Sequence, residues 1–262
     1  MSVSTVTQAN LVTRSWFYRG VSYASILLVW LGLSAWLGPK LMPGPGETWA
    51  FVQRELERGV LLVQVGITLQ RVLLAFALAM GVGLALGFAS GRSQRFEGLL
   101  EGWVALGLAI PRILPIVVAY VLLGLNELAA VLSVFLIVLP TVVVQVREGV
   151  RTLDPRLFQM SRVFGKGALE VLYFVAWPQL APFVWGTARA TLSLCWKMIV
   201  FAELLGRTSG VGYQIAFYFQ MFEMRGILAY GLAITVALVA LDALLAWGGQ
   251  RAGRWRAREA TA

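Results

Sequence analysis

DPRLFQMSRVFGKGALEVLYFVAWP, residues Asp154 to Pro178, is a basic and partly amphipathic stretch between two long apolar segments. Asp154 followed by Pro155 predicts the start of a helix. The Asp carboxylate can accept hydrogen bonds from the free amides of the first turn, and proline fits the first helical position. The Gly165-Lys166-Gly167 triplet predicts its end, because glycine tolerates the left-handed conformation of a tight helix exit.

The predicted helix is short and has an apolar face. Leu157, Met160 and Phe164 lie on the same side at helical spacing. A helix of roughly ten residues is about 15 Å long, which is too short to span a bilayer. We therefore expect it to lie along a membrane surface, either as a docking element for another protein or as an interfacial helix without a partner.

The composition of the whole chain is typical of an integral membrane protein. Of its 262 residues, 59% are hydrophobic and 13% are charged, and the mean hydropathy is +0.76, whereas about a quarter of the residues of soluble domains are charged. The chain has no His and one Cys, Cys195, in an apolar segment. This argues against disulfides, against metal sites that use His or Cys, and against a membrane-embedded enzyme. We expect neither a metal nor a catalytic residue.

Hydropathy predicts an all-α membrane fold with six spans. These are Val21 to Gly38, Gly66 to Ala89, Trp103 to Leu123, Leu128 to Val146, Leu180 to Leu205, and Gly226 to Gly248. Pro111 and Pro115 interrupt the third span, and proline is tolerated there if neighbours satisfy the freed carbonyls. Thr48 to Arg58 is predicted to be a short surface helix, and Gly206 to Arg225 an amphipathic surface or re-entrant segment.

The second span carries one charge and several glycines. Arg71 lies about one turn from its start, where the side chain can snorkel to the interface. Gly81, Gly83 and Gly87 indicate close packing against another helix.

The distribution of basic residues predicts the orientation. If both termini are cytoplasmic, 13 of the 22 Lys and Arg residues lie in inner segments and 5 in outer segments, which satisfies the positive-inside rule. The outer ones are Lys40, Arg54, Arg58, Arg207 and Arg225; those within spans are Arg71, Arg112, Arg189 and Lys197. This topology places the 154–178 loop inside. It divides the chain into a cytoplasmic segment (1–20), a six-span domain (21–250) and a basic cytoplasmic tail (251–262). Segment 1–20 lacks an early apolar run and a cleavage site, so we expect it not to be a removable signal peptide.

The 154–178 loop resembles a cytoplasmic loop shared by the membrane subunits of ATP-binding-cassette (ABC) importers. That loop reads Glu-Ala-Ala, three residues, Gly, nine residues, Ile-x-Leu-Pro. Here Gln159-Met160-Ser161, Gly165 and Val175-Ala176-Trp177-Pro178 keep the spacing, whereas the Glu and both Ala residues are absent.

A second set of motifs resembles the nitrate, sulfonate and taurine branch of these permeases. The fifth-span signature of that branch ends in Ala-Glu-(Met/Leu)-Leu-Gly and continues as Gly-(Leu/Val)-Gly-Tyr. The matching segments here are Trp196 to Gly206 and Gly210 to Tyr213. Further similar segments are Thr68 to Arg71, Pro111 to Pro115 with Gly124, and Asp242 before Arg254-Trp255-Arg256. The resemblance covers about residues 60 to 258.

The resemblance implies a type I ABC importer permease in a bacterial inner membrane. Its implied partners are a second permease chain, for which a homodimer is the default, two separate ATPase subunits and an extracytoplasmic substrate-binding protein. ATP and Mg would be bound by the ATPase, and the sequence contains no Gly-x-x-x-x-Gly-Lys-(Ser/Thr) loop of its own. The implied docking residues are Leu157, Gln159, Met160, Ser161, Phe164 and Gly165, with Pro178 setting the angle into the fifth span.

The candidate pathway follows one face of the fifth span. Pro182, Gly186, Arg189, Ser193 and Lys197 recur there at steps of three and four. A charge near mid-membrane costs at least ~2.5–3.5 kcal/mol unless it meets a partner or water. Arg189, Lys197 and Arg112 are therefore candidate pathway residues, with pairing or snorkelling as the alternative.

Two acids complete the candidate set. Glu203, near the outer end of the fifth span, is expected to form an ion pair with one of these cations, and we include it among the pathway residues. Asp242 is expected to pair with an arginine, such as one in the tail. The middle of the pathway should then be positive, which favours a small anionic or zwitterionic solute.

A stand-alone secondary transporter or channel is the alternative function. Such proteins typically show an internal repeat or paired carboxylates at mid-membrane, and neither is evident in the sequence.

Overall fold

The computed structural model describes the backbone of residues 4–259 and the side chains of residues 18, 20–167 and 169–249. All regular elements within that part of the chain are helical. They are α1 (Ser4–Leu37), α2 (Pro45–Glu57), α3 (Val60–Arg92), α4 (Gln94–Ala109), α5 (Ile113–Leu123), α6 (Glu127–Arg151), α7 (Pro155–Val163), α8 (Ala168–Val171), a π-helical turn (Leu172–Ala176), α9 (Trp177–Gly206), α10 (Val211–Gln220) and α11 (Met224–Glu259). The all-α prediction is confirmed. The side chains of Arg14, Arg19 and the tail 251–262 lie outside the described residues.

Among the residues that the structure describes, four helices are long and apolar enough to cross a membrane: Gly20–Leu37 within α1, α3, α6, and Met224–Gly249 within α11. Helices α4 and α5 together meet the same criterion as a bent pair. Helix α9 has 30 residues, about 45 Å of helix. Its composition is less apolar, because it contains Arg189, Lys197 and Glu203. Five of the six predicted spans thus coincide with apolar helices. The sixth, in α9, is long enough to cross a membrane but is not apolar enough to meet the same criterion.

The third predicted span is two helices rather than one interrupted helix. α4 ends at Ala109, α5 begins at Ile113, and their axes are bent by 99°. Ile110 is extended, with φ −65° and ψ 131°, because the ring of the following Pro111 disfavours helical geometry at the residue before it. Near the bend, a Cβ on Gly107 would lie 2.5 Å from the Pro140 ring of α6, so glycine permits this close contact.

Among the described elements, helices α3 and α6 share the most extensive contact. Glycines at four-residue intervals on α3 face valines at the same interval on α6: a Cβ on each glycine would lie 2.5–2.6 Å from its valine, the pairs being Gly83 with Val142, Gly87 with Val146, and Gly91 with Val150. Small residues at this spacing let two membrane helices approach closely. The prediction of close packing is confirmed for Gly83 and Gly87, and is wrong for Gly81, which has no atom within 4 Å of its Cβ position.

Helix α9 completes the main core by packing on both α3 and α6. Val72, Val138 and Ile199 are fully buried there. A second apolar cluster joins α2, α10 and α11, around Val211 and Tyr230. The predicted surface helix 48–58 corresponds to α2, but Thr48, Val52 and Glu55 on one side of it are buried.

The two ends of the α3–α6 pair differ. One end holds Arg71 and Glu127. The other holds an ion-pair group in which Arg147 lies 3.0 Å from Glu97, and Arg151 pairs with the same carboxylate. The 154–178 loop follows α6 directly at this second end, so the loop and Arg71 lie at opposite ends of the bundle.

Candidate functional site

The 154–178 loop begins with the predicted capped helix. An Oδ1 oxygen of Asp154 accepts a hydrogen bond from the Arg156 N–H at 2.8 Å, and Pro155 occupies the first turn of α7. Gly165 has φ +65°, and the Lys166 N–H closes the helix end on the Ser161 carbonyl at 3.0 Å. The Asp154 N–H also donates to the Gln179 side chain at 2.9 Å. This last bond connects the start of α7 directly to the start of α9.

The apolar side of this loop is exposed. Leu157, Met160 and Phe164 are 38%, 52% and 72% exposed, and Gln159 is exposed beside them. Ser161 differs from the other predicted docking residues. It is 5% exposed, and its hydroxyl donates to the Phe158 carbonyl. Helix α7 packs against the π-helical turn Leu172–Ala176.

The exit from the loop is helical through Pro178. After α8, the chain forms the π-helical turn Leu172–Ala176 and enters α9 without a break, with Pro178 in the first turn of α9. Just before α8, the Lys166 ammonium and the Gly167 N–H bind the Glu170 carboxylate, and they hold the pKa of Glu170 below its ordinary value. π-helical turns often occur at functional sites, and this one lies between α7 and the span in α9.

The predicted face of α9 is exposed along its whole length. Its five members are Pro182, Gly186, Arg189, Ser193 and Lys197. The opposite face, which includes Ala188, Cys195 and Ile199, is buried against α3 and α6. Lys197 has no ion-pair or hydrogen-bond partner among the described side chains.

Arg189 has a partner that lies in a span rather than in the tail. Its Nε donates to Asp242 Oδ1 at 2.8 Å, and its Nη2 donates to Asp242 Oδ2 at 2.6 Å. The expected pairing of Asp242 with an arginine is thus confirmed, with a partner on α9. The pair neutralises one of the three predicted pathway cations.

Arg112 lies at the bend between α4 and α5. It precedes the first turn of α5 and lines a mostly apolar cavity of about 320 Å³ with Trp103, Leu136 and Pro140. Within the described part of the chain, no acidic side chain pairs with it. Arg112 and Lys197 are therefore the two predicted cations that keep their charge uncompensated.

Glu203 does not share the exposed face of α9. Its side chain is 0% exposed, and its Oε1 oxygen accepts a hydrogen bond from Arg71 Nη1 at 2.6 Å. Thr68 Oγ1 donates to the same carboxylate, and so does the Gly212 N–H at 2.9 Å. The expectation of an ion pair at Glu203 is confirmed, but its partner is none of the three predicted cations.

The prediction that Arg71 reaches the interface is wrong. Arg71 is 2% exposed and does not snorkel to an interface. Its five N–H groups are all used: two by Glu127 at 2.6 Å, one by Glu203, and two by the carbonyl and hydroxyl of Ser209. Arg207 also pairs with Glu127. Two arginines and two glutamates thus join α3, α6, α9 and the segment that follows α9.

This charged network explains the two glycines that follow α9. Gly210 has φ +101°, and a Cβ there would overlap the Glu203 carboxylate. A Cβ on Gly212 would lie 2.6 Å from Glu203 Cβ. The motif residues Thr68, Arg71 and Glu203, which are up to 135 positions apart, meet these glycines at one place.

The family follows from the sequence of the greater part of the chain. Residues 77–254 match the model of the binding-protein-dependent transport system inner membrane component family. The chain belongs to this family. It is therefore a permease subunit of an ABC transporter, as the order of its motifs predicted.

Several named proteins are similar over most of the chain. A protein of Brucella abortus named as an ABC transporter permease is 28% identical over 233 residues, covering 87% of this chain and 93% of its own. SsuC of Bacillus subtilis, a permease protein named for aliphatic sulfonates transport, is 27% identical over 194 residues, covering 73% and 70%. The nitrate import permease protein NrtB of Synechococcus elongatus is 25% identical over 241 residues, covering 86% and 85%.

The fold of this permease is also that of a solved transporter. A chain of the MetNI methionine ABC transporter, in an inward-facing conformation, superimposes with a TM-score of 0.62 at 19% identity. The match covers 76% of this chain and 97% of that chain. The predicted type I importer fold is confirmed.

Proposed function

We propose that this permease forms half of the pathway of an ATP-driven importer for a small oxyanion or zwitterion of the sulfonate, taurine, nitrate or carboxylate type. Two ATPase subunits would bind ATP and Mg, and an extracytoplasmic protein would deliver the solute. A second copy of this chain would complete the pathway. The names of the sulfonate and nitrate relatives support the substrate class.

The observation that carries the proposal is the exposed face of α9. It runs from Pro182 to Lys197 through Arg189 and Ser193, in a helix whose other face is packed in the core. A face of small, polar and cationic residues is costly against lipid and is suited to a water-filled path. Lys197 and Arg112 would attract an anion because neither is neutralised by a described acid.

The exposed apolar side of α7 supports the coupling role. Leu157, Met160 and Phe164 form a surface that a groove on an ATPase could cover. Asp154 is bonded to Gln179 at the start of α9, so a displacement of α7 would be transmitted to the span that carries the pathway face.

The test is Lys197→Gln in the complex assembled with its ATPase and binding protein, measured as ATP-dependent uptake. A unit charge about 6 Å from an anion at an effective dielectric of about 20 contributes about 3 kcal/mol. Water in the path screens part of this, so we expect uptake to fall by about tenfold or more. Arg225→Gln, at an exposed position in the first turn of α11, is the matched control and should keep the original rate. Unchanged uptake in the assembled Lys197→Gln complex would contradict the pathway assignment.

A further inference from the structure

A pocket with a charged pair in its lining lies between α9 and α11, beside the exposed face. It has a volume of about 290 Å³, at the lower end of the ~300–1,000 Å³ of small-molecule sites. Its apolar lining includes Leu192, Trp196 and Leu238. The charged part of the lining is the Arg189–Asp242 pair, with the Ser193 and Thr235 side chains nearby.

The Arg189–Asp242 ion pair is partly exposed. Arg189 and Asp242 are 49% and 44% exposed. Their contact uses two of the five guanidinium N–H groups and one lone pair on each carboxylate oxygen. The three remaining N–H groups and the remaining lone pairs have no partner among the described residues. The pocket thus presents free donors for an oxyanion next to free acceptors for an ammonium.

The pair also lies well inside the spans. Arg189 is 12 positions after the start of α9, and Asp242 is 7 positions before the end of the apolar part of α11 at Gly249. At 1.5 Å per residue these are about 18 Å and about 10 Å along the helices. Half-exposed charges at this depth face water or a ligand rather than lipid, because their exposure to hydrocarbon costs several kcal/mol.

We propose that this pocket binds a zwitterion, a small solute that carries both an ammonium and an oxyanion, on its way through the membrane. The oxyanion binds the free N–H groups of Arg189, with Ser193 one turn further along α9. The ammonium binds the Asp242 carboxylate. This inference rests on the proposed function and narrows its substrate class to amino-sulfonates and similar zwitterions.

The geometry disfavours the simpler solutes. An anion without an ammonium would bind Arg189 with its charge beside the Asp242 carboxylate, and a cation without an oxyanion would lie beside the guanidinium. Either case sets like charges close together, which is electrostatically unfavourable. A zwitterion matches both charges and leaves none unpaired.

The test compares three probes of similar size: 2-aminoethanesulfonate, ethanesulfonate and ethylammonium. Binding is measured by equilibrium dialysis on the assembled permease–ATPase complex in lipid nanodiscs, without the binding protein, whose own selectivity would dominate. We expect 2-aminoethanesulfonate to bind at least tenfold more tightly than either other probe. Equal binding of the two sulfonates, or no measurable binding of 2-aminoethanesulfonate, overturns the proposal.

Variants locate the binding in this pocket. Asp242→Asn should weaken 2-aminoethanesulfonate binding by tenfold or more and leave ethanesulfonate binding equal or tighter, because Arg189 is freed. Asp242→Glu keeps the charge and should restore the preference for the zwitterion. Glu223→Gln, which breaks the exposed Glu223–Arg225 pair outside the pocket, is the control and should change neither affinity. An unchanged preference in Asp242→Asn also overturns the proposal. The comparison on the original complex decides the question even if a variant fails to assemble.

Uptake separates this inference from the function on which it rests. If the complete importer carries ethanesulfonate with ATP while the complex without the binding protein binds the two sulfonates equally, the importer function holds and the zwitterion pocket is wrong. If it carries no oxyanion or zwitterion with ATP, the proposed function itself fails.

Discussion

Arg71→Met should be among the most destabilising single changes in this permease. It removes the cation between Glu203, which is 0% exposed, and Glu127, which is 58% exposed. Breaking a buried ion pair by removing one partner costs about 3–5 kcal/mol, because an uncompensated charge stays buried. At 1.4 kcal/mol per factor of ten, this is about a 10²- to 10⁴-fold change in the folding equilibrium. Thr68 and Gly212 still donate to Glu203, but they supply no charge.

Two further variants distinguish the effect of the buried charge on stability from the effect of the lost hydrogen bonds. Arg71→Met combined with Glu203→Gln removes both charges and should be at least 1 kcal/mol more stable than Arg71→Met alone, since the amide can keep hydrogen bonds to Thr68 and Gly212. Arg225→Met breaks an exposed pair and should cost no more than about 1 kcal/mol.

The assay is unfolding of the purified chain in mixed micelles of rising sodium dodecyl sulfate, followed by tryptophan fluorescence. The midpoints of the single, double and control variants are compared under one condition. A loss below about 1 kcal/mol for Arg71→Met would refute the reasoning. A double variant less stable than Arg71→Met would also refute it, because the buried Glu203 charge would then not be the cause.

Two further predictions concern the 154–178 loop. Gly165→Leu should leave the chain in the membrane but lower transport-linked ATP hydrolysis about tenfold. The reason is that a branched side chain at φ +65° is strained by about 1–3 kcal/mol. Gly167→Leu is the control: this position is equally open and lies outside the left-handed region, so its transport-linked ATP hydrolysis should be close to that of the original chain. Unchanged ATP hydrolysis in Gly165→Leu would count against the role of this helix exit. For topology, a cysteine replacing Met160, which is 52% exposed, should react with an impermeant reagent only after the inner face is opened. One replacing Met221, which is 63% exposed, should react in sealed cells, and the reverse pattern would refute the orientation.

Local sequence was sufficient for much of the fold. The cap at Asp154 and the left-handed Gly165 depend on hydrogen bonds and dihedral angles within a few residues, and both were predicted correctly. The apolar spans were located because 20 or so consecutive apolar residues are needed to cross a bilayer. The exposed face of α9 followed from the helical period alone.

The charged side chains could not be placed in this way. Arg71 was predicted to reach an interface because it lies about one turn from the start of the predicted second span. Its two acidic partners are 56 and 132 positions away. The sequence did contain a signal for the burial of Glu203. Gly210 and Gly212 follow Glu203 closely, and glycines at these positions allow the backbone to pack against its carboxylate.

The sequence by itself determined the membrane class, the order of the helices, the capped loop and the family. The tertiary structure alone decided which charges are neutralised: Arg189 by Asp242, 53 positions away, and Arg71 by Glu203 and Glu127. Arg112 and Lys197 have no acidic partner among the described side chains. The physical reason is range. Caps, turns and helical periods act over a few residues of chain, whereas an ion pair forms only after packing brings together side chains from different helices.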